Sequence, residues 1–315
     1  MSSARRARWI RERRGPRNAL DPLRAYAATV EDERTESGEI VPVATIFLTN
    51  RECPWTCLMC DLWRNTLEET VPAGAIPEQI RRALASLPAA RRIKLYNAGS
   101  FFDPKAVPPV DRAAIAELCA PFERVVVESH PVLVGEACFE LAALLGEGRL
   151  EVAMGLETAH PQVLERLNKG MTVEDFERAA RALVDRGIAV RAFVLVGLPY
   201  LPRPESRAWC RESVRTAFDA GVGVVSLIPT RAGNGALDVL AASGDFAPPT
   251  LSDLEIGLAD ALGLTSGRAF ADLWDLERLA DCSACFPSRV ERLHRMNLTQ
   301  GLAPPVPCSS CGGSA

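Results

Sequence analysis

The sequence predicts an α/β fold in which strands and helices alternate around a parallel sheet. Three observations support this: six β-type runs, amphipathic stretches of helical length between them, and cysteines gathered in two places rather than scattered. The β-type runs are residues 43–48, 92–96, 124–127, 150–154, 189–196 and 222–228, each rich in β-branched or apolar residues. Residues 77–87 place Ile80, Ala83, Leu84 and Leu87 on one helical face. Residues 109–120 open on a proline, which suits a first helical turn. Further helices are expected at 136–145, 173–186 and 205–220, with Gly187 and Gly221 where a helix stop belongs. Strands alternating with helices of this length imply parallel pairing through right-handed crossovers.

The chain has 315 residues, 48% of them hydrophobic, enough for one large domain with an appendage. The division expected is a basic N-terminal arm at 1–40, a core at 41–232 and a C-terminal extension at 233–315. The net charge of −4 gives no global field for nucleic acid. Residues 1–17 nevertheless carry seven arginines, which form either a phosphate-contacting arm or a solvated helix. No stretch approaches the ~18 apolar residues of a membrane span, and the N-terminus lacks the apolar run of a secretory signal. Clustered cysteines then point to metal ligation in a reducing compartment, and cytoplasmic residence is expected.

Directly after the first run come Cys53, Cys57 and Cys60, spaced C-x3-C-x2-C. Three thiolates on one short loop can hold three irons of a cubane cluster and leave the fourth open to a substrate. Half of a zinc site, or apolar buried cysteines, are the alternatives, although zinc ligands more often come as C-x2-C pairs. The spacing and its place after a strand resemble the radical S-adenosylmethionine (radical SAM) superfamily. The resemblance implies a partial (β/α)6 TIM-like barrel carrying a [4Fe-4S] cluster. It also implies S-adenosylmethionine chelated to the open iron, reductive release of a 5′-deoxyadenosyl radical, and an external flavodoxin- or ferredoxin-like electron donor.

In parallel barrels the chemistry gathers at the C-terminal strand ends. Asn97, Gly99 and Ser100 stand where radical SAM proteins carry a Gly-Gly-Glu-like motif that contacts the methionine ammonium; here no acid is present. Glu128 and Ser129 end the third run and are expected near the ribose or carboxylate, Glu157 near the ribose, and Gly197 beside the adenine. Met59 takes the place of an aromatic that many members carry before the third cysteine. His130 and Arg231 are candidates for the substrate side. For each acid the alternative is a salt bridge or a helix cap.

Two further pairs, Cys282/Cys285 and Cys308/Cys311, suffice for a four-thiolate site holding zinc or an auxiliary iron–sulfur cluster. The strings Tyr96-Asn97-Ala98-Gly99-Ser100, Val127-Glu128-Ser129-His130-Pro131, Gly155-Leu156-Glu157-Thr158 and Leu167-Asn168-Lys169-Gly170 are similar to the group containing the Elongator catalytic subunit and the radical SAM subunit of archaeosine synthase. Archaeosine synthase rearranges a lysine adduct on a tRNA deazaguanine, so the resemblance implies a modified tRNA nucleoside as substrate and tRNA as partner. A small metabolite or peptide is the rival substrate class. A non-catalytic metal-binding module is the third reading.

Overall fold

A computed structural model describes residues 1–264 and 266–312. Its frame is one eight-stranded sheet whose spatial order follows the chain: β1 (Ala27–Arg34), β2 (Ile40–Leu48), β3 (Arg92–Asn97), β4 (Arg124–Ser129), β5 (Leu150–Glu157), β6 (Ala189–Val196), β7 (Val224–Pro229) and β8 (Arg268–Ala271). β2 to β8 are mutually parallel and β1 is antiparallel to β2. The six expected strands are β2 to β7, and the sheet curls into the partial TIM-like barrel expected.

Two strands of this sheet escape sequence reading. β1 lies within the stretch assigned to the basic arm, and its Glu31, Asp32, Glu33 and Arg34 read as surface. Glu33 instead meets Arg191 at 2.6 Å and also pairs with Lys94. β8 has only four residues, too few for a period to show.

The helices pack outside: α1 (Ser3–Arg11), α2 (Ala75–Ser86), α3 (Arg112–Leu118), α4 (Glu136–Leu145), α5 (Pro161–Arg166), α6 (Val173–Val184), α7 (Arg203–Asp219), α8 (Ala236–Ala242), α9 (Leu251–Gly263) and α10 (Phe286–Thr299). Outward strand residues such as Leu95, Val127, Val152 and Val194 share one core with Ile80, Ile115, Leu141, Phe176, Val214 and Leu258. The helix starts follow from local chemistry. Thr172 and Thr250 each accept from the backbone N–H three residues on, and Asp175 and Asp253 return the bond.

Inside the barrel, the end holding the strand starts is charged and closed. Arg191, buried, binds Glu33 and also Glu151 at 2.7 Å. Burial alone would raise the Glu33 carboxyl, but Arg191 and Lys94 hold it well below the usual carboxylate range. Above this floor lies an aromatic layer. Phe47 is 6.1 Å from Tyr96, and Tyr96 is 5.9 Å edge-on to Phe193. Trp274, 43% exposed, stands 5.2 Å from Phe47 at the open end.

Candidate active site

The cysteine loop leaves β2 and is held from every side. Leu58 N–H donates to Leu167 O at 2.8 Å, and Asn168 Nδ2 donates to Thr56 O at 2.9 Å. Asn234 Nδ2 donates to Leu58 O at 2.7 Å. Leu58 and Met59 insert into a second apolar cluster with Ile10, Leu167, Leu195 and Leu237. The arm closes the remaining side: Arg14 pairs with Glu52 at 2.6 Å, and Arg11 donates to the Thr56 hydroxyl at 3.1 Å. Gly99 is required here because its φ is +132°, and a Cβ would stand 3.0 Å from Cys53 Cβ.

Burial pushes the thiols of Cys53, Cys57 and Cys60 each up to about 12. Such groups become thiolates only when cations bind them.

At the strand ends, Glu128 accepts from the Asn97 N–H at 2.9 Å and forms no salt bridge among the described residues. Burial raises its carboxyl to about 8. Asn97 is 1% exposed, and neither its Oδ1 nor its Nδ2 has a partner. The hydroxyls of Ser100 and Ser129 lie 3.2 Å apart. β5 carries a bulge between Gly155 and Glu157, and Glu157 has φ +65°. The bulge aims the Glu157 carboxylate at Lys169, whose Nζ donates to Oε1 at 2.5 Å. Burial opposes the Lys169 ammonium, but Glu157 outweighs it and raises its pKa. Gly155 leaves room for the pair, since a Cβ there would lie 2.1 Å from Glu157 Oε1.

A family model described as the radical SAM superfamily matches residues 47–209, more than half of the chain. The chain belongs to the radical SAM superfamily. It is 23% identical over 314 residues to an uncharacterised protein of Methanocaldococcus jannaschii, covering 91% of this chain and 84% of the relative. It is 30% identical over 166 residues to archaeosine synthase subunit beta of Thermococcus kodakarensis, covering 50% of this chain and 51% of that one. The archaeal Elp3 of Methanocaldococcus infernus, solved with its N-terminus deleted, superposes with a TM-score of 0.53 at 14% identity, over 81% of this chain and 63% of Elp3. That likeness is one of fold.

Radical SAM family membership implies an enzyme with a [4Fe-4S] cluster and S-adenosylmethionine. The residues present fit both. Three half-buried thiols on one loop offer ligands to cations, while the orphaned Asn97 amide and the Glu128 carboxyl offer polar groups to a ligand.

Three expected residues make contacts within the protein. His130 stacks on Trp55 at 3.7 Å, with its planes 3° apart, and its Nδ1 accepts from Val132 N–H. Its Nε2 therefore donates to Lys169 O at 2.9 Å. Burial, with Lys169 nearby, lowers its pKa to about 4, and the neutral ring braces the cysteine loop through Trp55. Arg231 is spent on Asp272 at 2.8 Å and on Trp274 O. Gly197 does admit a close approach, but from Pro249, 2.7 Å from where a Cβ would be.

Conversely, nothing in its local sequence marks Lys169 as buried at the strand ends. Only the string Leu167-Asn168-Lys169-Gly170 drew attention to that turn, and the pairing depends on a bulge that sequence periodicity does not reveal.

The four C-terminal cysteines converge into one group able to hold a metal or cluster. No helix among the described residues is long and apolar enough to cross a membrane.

Proposed function

We propose that this radical SAM enzyme carries its cluster on Cys53, Cys57 and Cys60, binds S-adenosylmethionine across the ends of β3 to β5, and acts on a modified nucleoside of tRNA. Cluster and cofactor, when bound, supply a 5′-deoxyadenosyl radical by reductive cleavage, with the electron brought by an external flavodoxin- or ferredoxin-like donor. One observation carries the reading: at the end of the barrel that bears the three half-buried thiols stands a half-buried carboxyl, Glu128, that forms no salt bridge among the described residues.

The chain's own residues divide the cofactor between them. Glu128 takes the methionine ammonium, supplying from the neighbouring strand the acid absent from Asn97-Ala98-Gly99-Ser100. Carbonyls around Asn97 and Gly99 add acceptors, and the Ser100 and Ser129 hydroxyls add donors. Lys169 offers a cation to the methionine carboxylate, while Glu157 keeps Oε2 for the ribose hydroxyls. Leu58, Met59 and Trp63 keep water from the cluster. Phe47, Tyr96, Phe193 and Trp274 form a surface on which a flat base stacks. The names of the relatives, archaeosine synthase subunit beta in two archaea, point the same way. At the C-terminal cysteines a zinc ion and a second cluster are the two candidates.

A small metabolite or peptide is the second reading. It is favoured by the net charge of −4 and by the use of Arg6, Arg11, Arg14 and Arg17 inside the protein.

Anaerobically reconstituted protein with a low-potential reductant should accumulate 5′-deoxyadenosine, and Cys57→Ala should abolish it. Unchanged product from that variant would defeat the cluster assignment. For the substrate, undermodified tRNA should raise turnover above that with free nucleosides, in a salt-sensitive manner. Equal turnover with the free nucleoside would favour the small molecule.

A further inference from the structure

The two C-terminal cysteine pairs come from segments separated by 22 residues, yet their sulfurs meet. Cys282 Sγ lies 3.9 Å from Cys308 Sγ, and Cys285 Sγ lies 3.8 Å from Cys311 Sγ. All four sulfurs fall within 4.8 Å of one another. A regular tetrahedron at the zinc–thiolate distance of ~2.3 Å has an edge of about 3.8 Å. Clusters of two or four irons spread four thiolates over separate irons, which sets some of the sulfurs wider apart. Cys308 Sγ accepts from the backbone N–H groups of Ser310 and Cys311, so the chain wraps that sulfur.

We propose that Cys282, Cys285, Cys308 and Cys311 bind one zinc ion, and that this ion fastens the arch of residues 272–285 beside the mouth of the barrel. The arch leaves β8 through Asp272 N–H, which donates to Leu227 O at 2.9 Å. Arg231 holds Asp272 and the Trp274 carbonyl, and Leu276 and Leu279 are buried beneath. Trp274 is thereby set against Phe47 at the open end. The arch ends on the Asp281–Arg289 pair at 2.6 Å and the first two cysteines. The second two arrive on residues 301–307, which form no helix or strand and bury only Ala303. The Arg292 bond to Ala303 O at 3.0 Å ties this tail to α10. An ion shared by both segments adds a bond between them that neither provides alone. The inference goes beyond the radical chemistry and does not depend on it.

Metal and acid-labile sulfide analysis of anaerobically purified wild-type protein tests it. One zinc per chain is expected, with iron and sulfide no greater than one cubane accounts for. The Cys308→Ser/Cys311→Ser variant should lose the zinc and keep the iron. Hydrogen exchange in 272–285 and 301–312 should then rise at least ~10-fold, while β2 to β7 stay unchanged. Iron and sulfide beyond one cubane, a single iron in place of zinc, or absence of metal from the quartet would overturn the ion. Unchanged exchange after zinc loss would overturn the fastening. Failure of the radical reading would look different: zinc present and the cubane missing. If the double variant does not fold, chelation of zinc from wild-type protein gives the same exchange comparison.

Discussion

Replacing Glu128 by glutamine should make the apoprotein more stable and the cofactor bind less tightly. Burial raises this carboxyl from 4.5 to about 8, so near neutral pH the folded protein holds a proton that the unfolded chain has released. At ~1.4 kcal/mol for each pH unit between those values, the upper limit of the penalty is roughly 5 kcal/mol. The side chain keeps some solvent contact, so ~2–3 kcal/mol is the expected effect. The sign follows from the raised acid. Below pH 4.5 both states are protonated and there is no penalty. It grows as pH rises to about 8 and is constant above. A glutamine of the same shape keeps the oxygen that accepts from Asn97 N–H and removes the titration.

Thermal unfolding of the anaerobic, metal-free protein measures this. Glu128→Gln should match wild type near pH 4.5 and exceed it by several degrees at pH 8.5. Calorimetric titration of the reconstituted protein gives the other half. A charge-assisted hydrogen bond to the ammonium is worth ~1.5–3 kcal/mol, so S-adenosylmethionine should bind roughly 10- to 100-fold more weakly. Wild type should release a proton on binding, seen as a dependence of the enthalpy on the buffer, and the variant should not. Equal stability of variant and wild type across pH 6–9 would show that the carboxyl has a cation partner. Unchanged affinity would show that Glu128 does not touch the ammonium.

Lys169→Met should destabilise by ~3–5 kcal/mol in chemical denaturation, because it strands the buried Glu157, and adding Glu157→Gln should restore part of the loss. Gly99→Ala should lower iron incorporation at little cost to the melting temperature. The new methyl meets Cys53 Cβ at 3.0 Å on a φ of +132°, and the cysteine loop must shift to admit it. Removal of residues 1–17 should make the reconstituted cluster bleach several-fold faster in air, read at its visible absorbance. The deletion uncovers Leu58 and Trp63 and leaves Glu52 without Arg14 and Arg17.

How far the sequence carried depended on burial. β2 to β7 were legible because parallel strands are covered on both faces, so each reads as a short apolar run. β1 was not, since its acids find cations across the barrel and a run such as Glu31-Asp32-Glu33-Arg34 looks the same whether it faces water or Arg191. Both cysteine groups were legible because spacing along a loop already encodes ligand geometry. The polar site was legible only by its place at the strand ends. Its detail rests on contacts distant in sequence: Asn97 with Glu128, Ser100 with Ser129, Asn234 with Leu58. His130 has contacts that its sequence context does not reveal. A histidine before a proline at a strand end has the composition of a reactive group, and only the Trp55 stack and two occupied nitrogens reveal a brace.

The basic arm acquires a physical purpose from the same contacts. Three thiolates in a half-buried loop concentrate negative charge where water is limited, which costs up to several kcal/mol per uncompensated ion. The cations that offset it come from opposite sides. Lys169 rises from the turn after α5 and acts on Cys53 and Cys57, and Arg14 descends from the arm and acts on Cys57 and Cys60. Arg14 is itself fixed by Glu52, the residue preceding the first cysteine, and by the face of Trp63, the third residue after the last. The arm therefore reads the cysteine loop at both of its ends. An acidic chain thus gathers seven arginines within 17 residues. The loop that must hold an electron-rich cluster is short, and its counter-charge has to arrive from outside it.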